Sequence, residues 1–158
     1  SKADGILLLS LISGRNAELL IGNHVQAAPI LKQSKLHIIP TGYILIESGM
    51  PTTVSYISNT TPIPANKPEI AACTALAGEQ LGLQCIYLEA GSGAQNVVPI
   101  STIKSVRKQI KTPLIVGGGI QSAQQIEQAF AAGADVVVIG TAIENDINFL
   151  DELKYIKK

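Results

Sequence analysis

Apolar positions alternate along the chain between continuous short runs and helical spacing. Ile6–Ile12 (ILLLSLI) is nearly all apolar, the pattern of a strand covered on both faces. Asn16 to about Leu31 reads as a helix, with Asn16 as its N-cap and Pro29 as a kink or early stop. Leu36–Glu47 (LHIIPTGYILIE) is a second strand, in which Pro40-Thr41-Gly42 predicts a bulge or a bend between two pieces. Ser48–Ala65 is polar and rich in Thr and Pro, the longest irregular stretch, and long loops of this kind usually cover a functional site. Asn66 and Glu69 have capping-box spacing for a helix whose Ile70, Cys73, Thr74, Ala77 and Leu81 share one face, with Gly82 closing it. Cys85–Glu89 is a third strand, followed by the loop Ala90–Ala94. Pro99 opens a helix with Ile100, Ile103, Val106 and Ile110 at helical spacing, and Pro113–Val116 is a fourth strand ending in Gly117-Gly118-Gly119. Ser122 and Gln125 cap the next helix and Gly133 stops it. Asp135–Ile139 is a fifth strand ending in Gly140-Thr141, and Phe149, Leu150, Leu153 and Ile156 mark a closing amphipathic helix.

Strand and helix thus alternate five times with no linker or composition break, which predicts one domain over residues 1–158 and a parallel sheet with right-handed crossovers. An open doubly wound sheet and a (β/α) barrel both obey that rule. A dinucleotide-binding sheet would carry G-x-G-x-x-G after its first strand, and none is there. Three successive strands instead end in small residues at the edge where a barrel places its active site, so the α/β class expected is the barrel. A full barrel has eight strands and typically ~250 residues, so about three strands, or roughly 90 residues, are wanting. The start at Ser1, with no Met and a strand immediately following, carries the same expectation.

The 158 residues include 12 basic and 12 acidic side chains, and 46% are hydrophobic against 15% charged, which excludes disorder. Balanced charge gives no footprint for nucleic acid or an anionic membrane. No apolar run approaches a membrane span, and Cys73 and Cys85 are too few for a disulfide framework or a zinc site. They are expected to be buried, reduced thiols in a cytoplasmic protein.

The glycine-ended strands carry the chemistry. LIVGGGI followed by a Ser-capped helix lets backbone amides approach phosphate oxygens at a helix N-terminus. Gly140-Thr141, one strand later, adds another amide and a hydroxyl, and in barrels the loops after the last two strands commonly share one phosphate. Tight turns alone would also use these glycines, and two such loops on consecutive strands favour the phosphate reading over that one. In Tyr87-Leu88-Glu89-Ala90-Gly91-Ser92-Gly93, strand alternation puts Tyr87 and Glu89 on one side. If that side is the barrel interior, the carboxylate can act as general base on a bound alcohol. A structural pairing of Glu89 with a basic residue is the other reading. Ser92 and Gly93 could add phosphate donors.

YLEAGSGA, LIVGGGI, GADVVVIGT and the PIPANKPEIAA entry into a helix together resemble the geranylgeranylglyceryl phosphate synthase family, which includes bacterial heptaprenylglyceryl phosphate synthases. The resemblance runs from Ala3 to about Glu144. It implies a (β/α)8 TIM barrel of which this chain covers about the last five β/α units. It implies a prenyltransferase that joins a geranylgeranyl-type prenyl diphosphate to sn-glycerol 1-phosphate, forming an ether and releasing diphosphate with Mg²⁺. Carried over, Tyr87, Leu88, Glu89, Ala90, Gly91, Ser92 and Gly93 would bind glycerol 1-phosphate, Glu89 nearest the reacting hydroxyl with Tyr87 beside it. Gly118 and Gly119 would hold the phosphate from one side, Gly140 and Thr141 from the other. The family's metal-binding acid ends its first strand, with a hydroxyl partner after the second, and neither segment is in this sequence. No metal ligand is therefore expected here. Either the chain is part of a longer protein or it has lost metal-dependent chemistry. A homo-oligomer, and peripheral membrane contact through the lipid substrate, are expected on the same ground.

Weaker candidates are Arg15 and Lys67 for diphosphate and Tyr43 for an apolar prenyl slot, each equally readable as surface or core. His24 and His37 have no ligand partners at suitable spacing and read as structural, and the face around Leu19, Leu20 and Val25 is core or subunit contact. Two other functions stay open. A sugar-phosphate isomerase or lyase would want a second lumenal acid or a strand-end lysine, and the strands offer Glu47 and Glu89 but no such lysine. A non-catalytic phosphate-binding fragment would be stable only in an oligomer.

Overall fold

The computed structural model describes residues 2–154 and Ile156. Strands β1 (Gly5–Leu11), β2 (His37–Leu45), β3 (Cys85–Glu89), β4 (Leu114–Gly117) and β5 (Val136–Val138) form one parallel sheet in chain order. The crossovers carry α1 (Asn23–Gln33), α2 (Thr53–Ser58), α3 (Pro68–Gln80), α4 (Ile100–Gln109) and α5 (Ala123–Ala132), and β5 leads into α6 (Thr141–Asn145) and α7 (Phe149–Leu153). Consecutive parallel strands in this order are five β/α units of a barrel wall.

Side-chain alternation divides the sheet into two faces. Ile44, Ile46, Ile86, Leu88, Leu114 and Val116 point outward and pack with Ala71, Ala75, Ile103, Val106 and Ala129 of the helices. Burying each large aliphatic side chain contributes about 1.5–3 kcal/mol, so this layer dominates the stability. The inner face carries Ile39, Tyr43, Cys85, Tyr87 and Ile115 as a second cluster. Thr41 Oγ1 lies 3.1 Å from Cys85 Sγ at its base. Leu9 of the edge strand β1 and Val136 and Val138 of the other edge extend the inner face at 43%, 47% and 39% exposure. Among the described residues no helix is long and apolar enough to cross a membrane.

Several local expectations change. β2 runs unbroken through Pro40, with Leu8 opposite Pro40 and Leu9 opposite Thr41. The Pro40 carbonyl accepts from the Gln84 amide, so the side of Pro40 that lacks an N–H faces β3 before that strand begins, and no ladder bond is lost. Asn16 does cap its helix, its Oδ1 accepting from the Glu18 amide at 3.0 Å. The first turn, Glu18–Gly22, is π-wound, and the helix continues through Pro29 to Gln33. The presumed loop Ser48–Ala65 contains α2, begun by a Thr52/Ser55 capping box.

The capping box expected at Asn66 is not formed: Pro68 takes the first turn of α3, Lys67 stands at the N-cap, and no side chain caps it. The buried face of α3 is Ala71, Ala72, Ala75 and Gly78, whereas Ile70 and Leu81 are 45% and 82% exposed. Close approach decides this. A Cβ on Gly78 would lie 2.9 Å from Ile12 Cδ1 and 3.1 Å from Ile86 Cδ1, so the small-residue side of the helix meets the sheet. Cys73 is consequently exposed, and only Cys85 is buried. Ser122 caps α5 through the Gln125 amide and Gly133 ends it at φ 113°, as the sequence predicts.

Candidate active site

At the C-terminal edge of the sheet, register brings three inner-face side chains together. Tyr43 of β2 stands opposite Tyr87 of β3, and Leu45 opposite Glu89. Glu89 in turn lies opposite Gly117 of β4. The two phenol rings meet edge to face, 5.2 Å apart at 70°. Glu89 is 7% exposed, and its Oε1 accepts the Gly91 amide at 2.6 Å. Burial, then the negative charge of Glu89, raises both phenols well above the ordinary tyrosine range, so both stay neutral.

The glycine triplet after β4 is shaped by these side chains. A Cβ on Gly117 would sit 2.5 Å from Tyr87 Oη. A Cβ on Gly118, which has φ 85°, would overlap Glu89 Oε1 and lie 2.6 Å from the Gly91 nitrogen. The triplet therefore turns the chain and also vacates the space that Tyr87 and Glu89 occupy.

Above this floor opens a cavity of about 520 Å³, lined by Tyr43, Tyr87, Glu89, Ser92 and Gly93 together with Gly118, Gly119, Gly140 and Thr141. Val54 and Ile57 of α2 line it as well. The same two residues and Tyr43 border a second, apolar cavity of about 270 Å³ completed by Leu9, Leu11, Leu19 and Ser58. The chamber thus joins one buried carboxylate to two glycine-rich turns, with an apolar annex beside it.

The model of the PcrB family matches residues 1–158. The chain belongs to the PcrB family. This PcrB-family chain is 59% identical over 153 residues to the geranylgeranylglyceryl phosphate synthase of Spirosoma linguale, covering 97% of this chain and 61% of the relative. The enzyme of the same name from Pyrococcus furiosus is 46% identical over 143 residues, covering 90% and 56%. The chain thus spans about three fifths of the length of the curated relatives it matches. Among solved structures, (S)-3-O-geranylgeranylglyceryl phosphate synthase from Thermoplasma acidophilum, in complex with sn-glycerol-1-phosphate, superposes with a TM-score of 0.89 at 34% identity, over 96% of this chain and 61% of that one. The family and the barrel class expected from sequence are those found.

Of the residues singled out in this PcrB-family sequence, Tyr87, Glu89, Ser92, Gly93, Gly118, Gly119, Gly140 and Thr141 line one cavity. Leu88 and Ala90 do not: alternation turns both to the helix-covered face, where they are fully buried. Gly91 lies beneath the surface as the donor to Glu89. Arg15 is exposed, donates to its neighbour's Gly14 carbonyl at 2.8 Å, and borders a separate groove with Cys73 and Ala77. Lys67 is exposed at the start of α3, outside the cavity. His24, on α1, has both ring nitrogens buried without a hydrogen-bond partner among the described residues. Sequence reasoning missed Thr53, Val54 and Ile57, which line the cavity from α2. Their signal was Thr52 three residues ahead of Ser55, a weak form of capping box.

Magnesium, which the resemblance implies, does not fit the groups present. Among the described residues no three His, Cys, Asp or Glu side chains converge. The one carboxylate lining the cavity, Glu89, already accepts the Gly91 amide at 2.6 Å, and no second carboxylate stands beside it there.

Proposed function

We propose that the full-length protein transfers a prenyl group from a prenyl diphosphate to sn-glycerol 1-phosphate, and that this chain supplies the glycerol phosphate site and the general base. The observation that carries the reading is the buried Glu89 in one chamber with the Gly118-Gly119 and Gly140-Thr141 turns. The phosphate sits between the two turns and receives their amides. That anchor holds the free hydroxyl against Glu89, which makes attack on the allylic carbon effectively intramolecular. The hydroxyl oxygen forms the new C–O bond, the carbon–diphosphate bond breaks with its electron pair leaving on diphosphate, and the hydroxyl proton passes to Glu89. Neutral Tyr43 and Tyr87 orient the carboxylate. The prenyl chain extends into the apolar annex of Leu9, Leu11, Leu19 and Ile57. The named relatives and the glycerol-phosphate-bound structural neighbour support the choice of substrates. The test is product formation by the full-length protein. Incubation with glycerol 1-phosphate and geranylgeranyl diphosphate should give an ether-linked prenylglyceryl phosphate by mass spectrometry. No product with any prenyl diphosphate from C15 to C35 would contradict the reading.

A further inference from the structure

Thr52 lies outside the sheet and lines no part of the chemistry, yet it touches the turn that holds Glu89. We propose that Thr52 is a positioning residue for the Glu89 carboxylate, acting through Gly91; the proposal rests on the reading of Glu89 as base. Its hydroxyl caps α2, Oγ1 accepting from the Ser55 amide at 3.4 Å, while the Thr52 amide donates to Ser55 Oγ at 2.9 Å. That reciprocal pair fixes the side chain, and its other side rests on Gly91. A Cβ built on Gly91 would lie 2.5 Å from Thr52 Cγ2, 2.7 Å from its Cβ and 2.8 Å from its Oγ1, so Thr52 fills the space a side chain at 91 would need.

Gly91 has φ 106°, and its amide is the donor to Glu89 Oε1. Gly118 also packs against this peptide, an added Cβ there lying 2.6 Å from the Gly91 nitrogen and 2.8 Å from its oxygen. The Gly91 peptide is thereby packed against both Thr52 and Gly118. The segment carrying Thr52 is tied down independently: the Asn96 amide and Nδ2 both donate to the Ser48 carbonyl, at 3.1 and 3.2 Å. One residue therefore starts α2 and seats the donor that aims the carboxylate.

A role confined to capping α2 is separable from bracing Gly91. Thr52→Ser keeps the hydroxyl cap and removes the methyl group on Gly91, whereas Thr52→Val keeps that methyl group and removes the cap. Hydrogen exchange by NMR and steady-state kinetics on the full-length protein read both. Thr52→Ser should speed exchange of the Gly91 amide about tenfold with the α2 amides unchanged. It should lower kcat about three- to tenfold with the KM for glycerol 1-phosphate nearly constant, because a slightly misaimed base costs turnover more than binding. Thr52→Val should speed exchange in α2 about fivefold by loss of the cap, leaving Gly91 exchange at its wild-type rate. Wild-type Gly91 exchange and kcat in Thr52→Ser would overturn the proposal, as would the two variants disturbing the same amides. An inactive wild-type protein that still shows the exchange contrast would sink the base assignment and leave the brace standing.

Discussion

Replacing Glu89 by Gln removes a proton acceptor while keeping size and one hydrogen-bonding oxygen. In the structure Oε1 is already taken by the Gly91 amide at 2.6 Å, and Gln can keep that bond. Its amide nitrogen then takes the place of the second carboxylate oxygen and cannot accept a proton. The site is 7% exposed, so bulk water does not substitute for the lost base. A positioned general base contributes about 10²–10⁴-fold, which is about 3–5.5 kcal/mol of barrier. If Glu89 only bound the glycerol hydroxyls, the loss would be a hydrogen bond to a charged group, about 1.5–3 kcal/mol, or a roughly 10- to 150-fold weaker Kd. The two roles therefore separate into different measurements. Steady-state kcat and calorimetric Kd for glycerol 1-phosphate, on full-length wild-type and Glu89→Gln proteins with matched thermal unfolding, should show kcat falling by the larger factor and Kd moving little. A near wild-type kcat with a weakened Kd would refute the assignment of the base.

Gly117→Ala puts a methyl group 2.5 Å from Tyr87 Oη, and the ring is held edge to face against Tyr43, so glycerol 1-phosphate affinity and turnover should both fall while circular dichroism stays unchanged. Gly133→Ala forces a side chain into φ 113° and against Arg107 Cγ at 2.5 Å, and should cost about 1–3 kcal/mol in urea unfolding without changing KM. The Tyr43 and Tyr87 phenols are raised by burial and then by Glu89, so the unfolded chain releases their protons near pH ~10 while the folded chain keeps them. Stability should therefore fall as pH rises through that point, less steeply in Tyr87→Phe, when unfolding is followed from about pH 9 to 11.

Much of this molecule is legible in one dimension because a parallel sheet covered by helices writes continuous apolar strands and helical periods. The loops at strand ends are legible for a related reason: Gly118 and Gly91 adopt positive φ, and few other residues can stand there. What escaped notice depended on distance in space. The buried side of α3 is its alanine side because Gly78 lets the helix approach Ile12 and Ile86, and hydrophobicity alone had pointed to Ile70 and Leu81. Pro40 signals a break only if its missing N–H faces a neighbour, and the late start of β3 removes that neighbour. The short helix α2 has one turn and a half of mixed polarity, too little for periodicity to register, yet it lines the site. Leu88 and Ala90 share the distinctive YLEAGSG segment with Glu89, but the two-residue period of a strand sends them into the core.

The central claim is that one chamber holds the phosphate between two glycine turns and the reacting hydroxyl at Glu89. A crystal structure of the full-length protein with glycerol 1-phosphate tests it most directly. Phosphate density between Gly118-Gly119 and Gly140-Thr141, with a glycerol hydroxyl within hydrogen-bond reach of the Glu89 carboxylate, is the predicted result. Phosphate bound elsewhere, such as the groove beside Arg15, or a glycerol chain pointing away from Glu89, would contradict it.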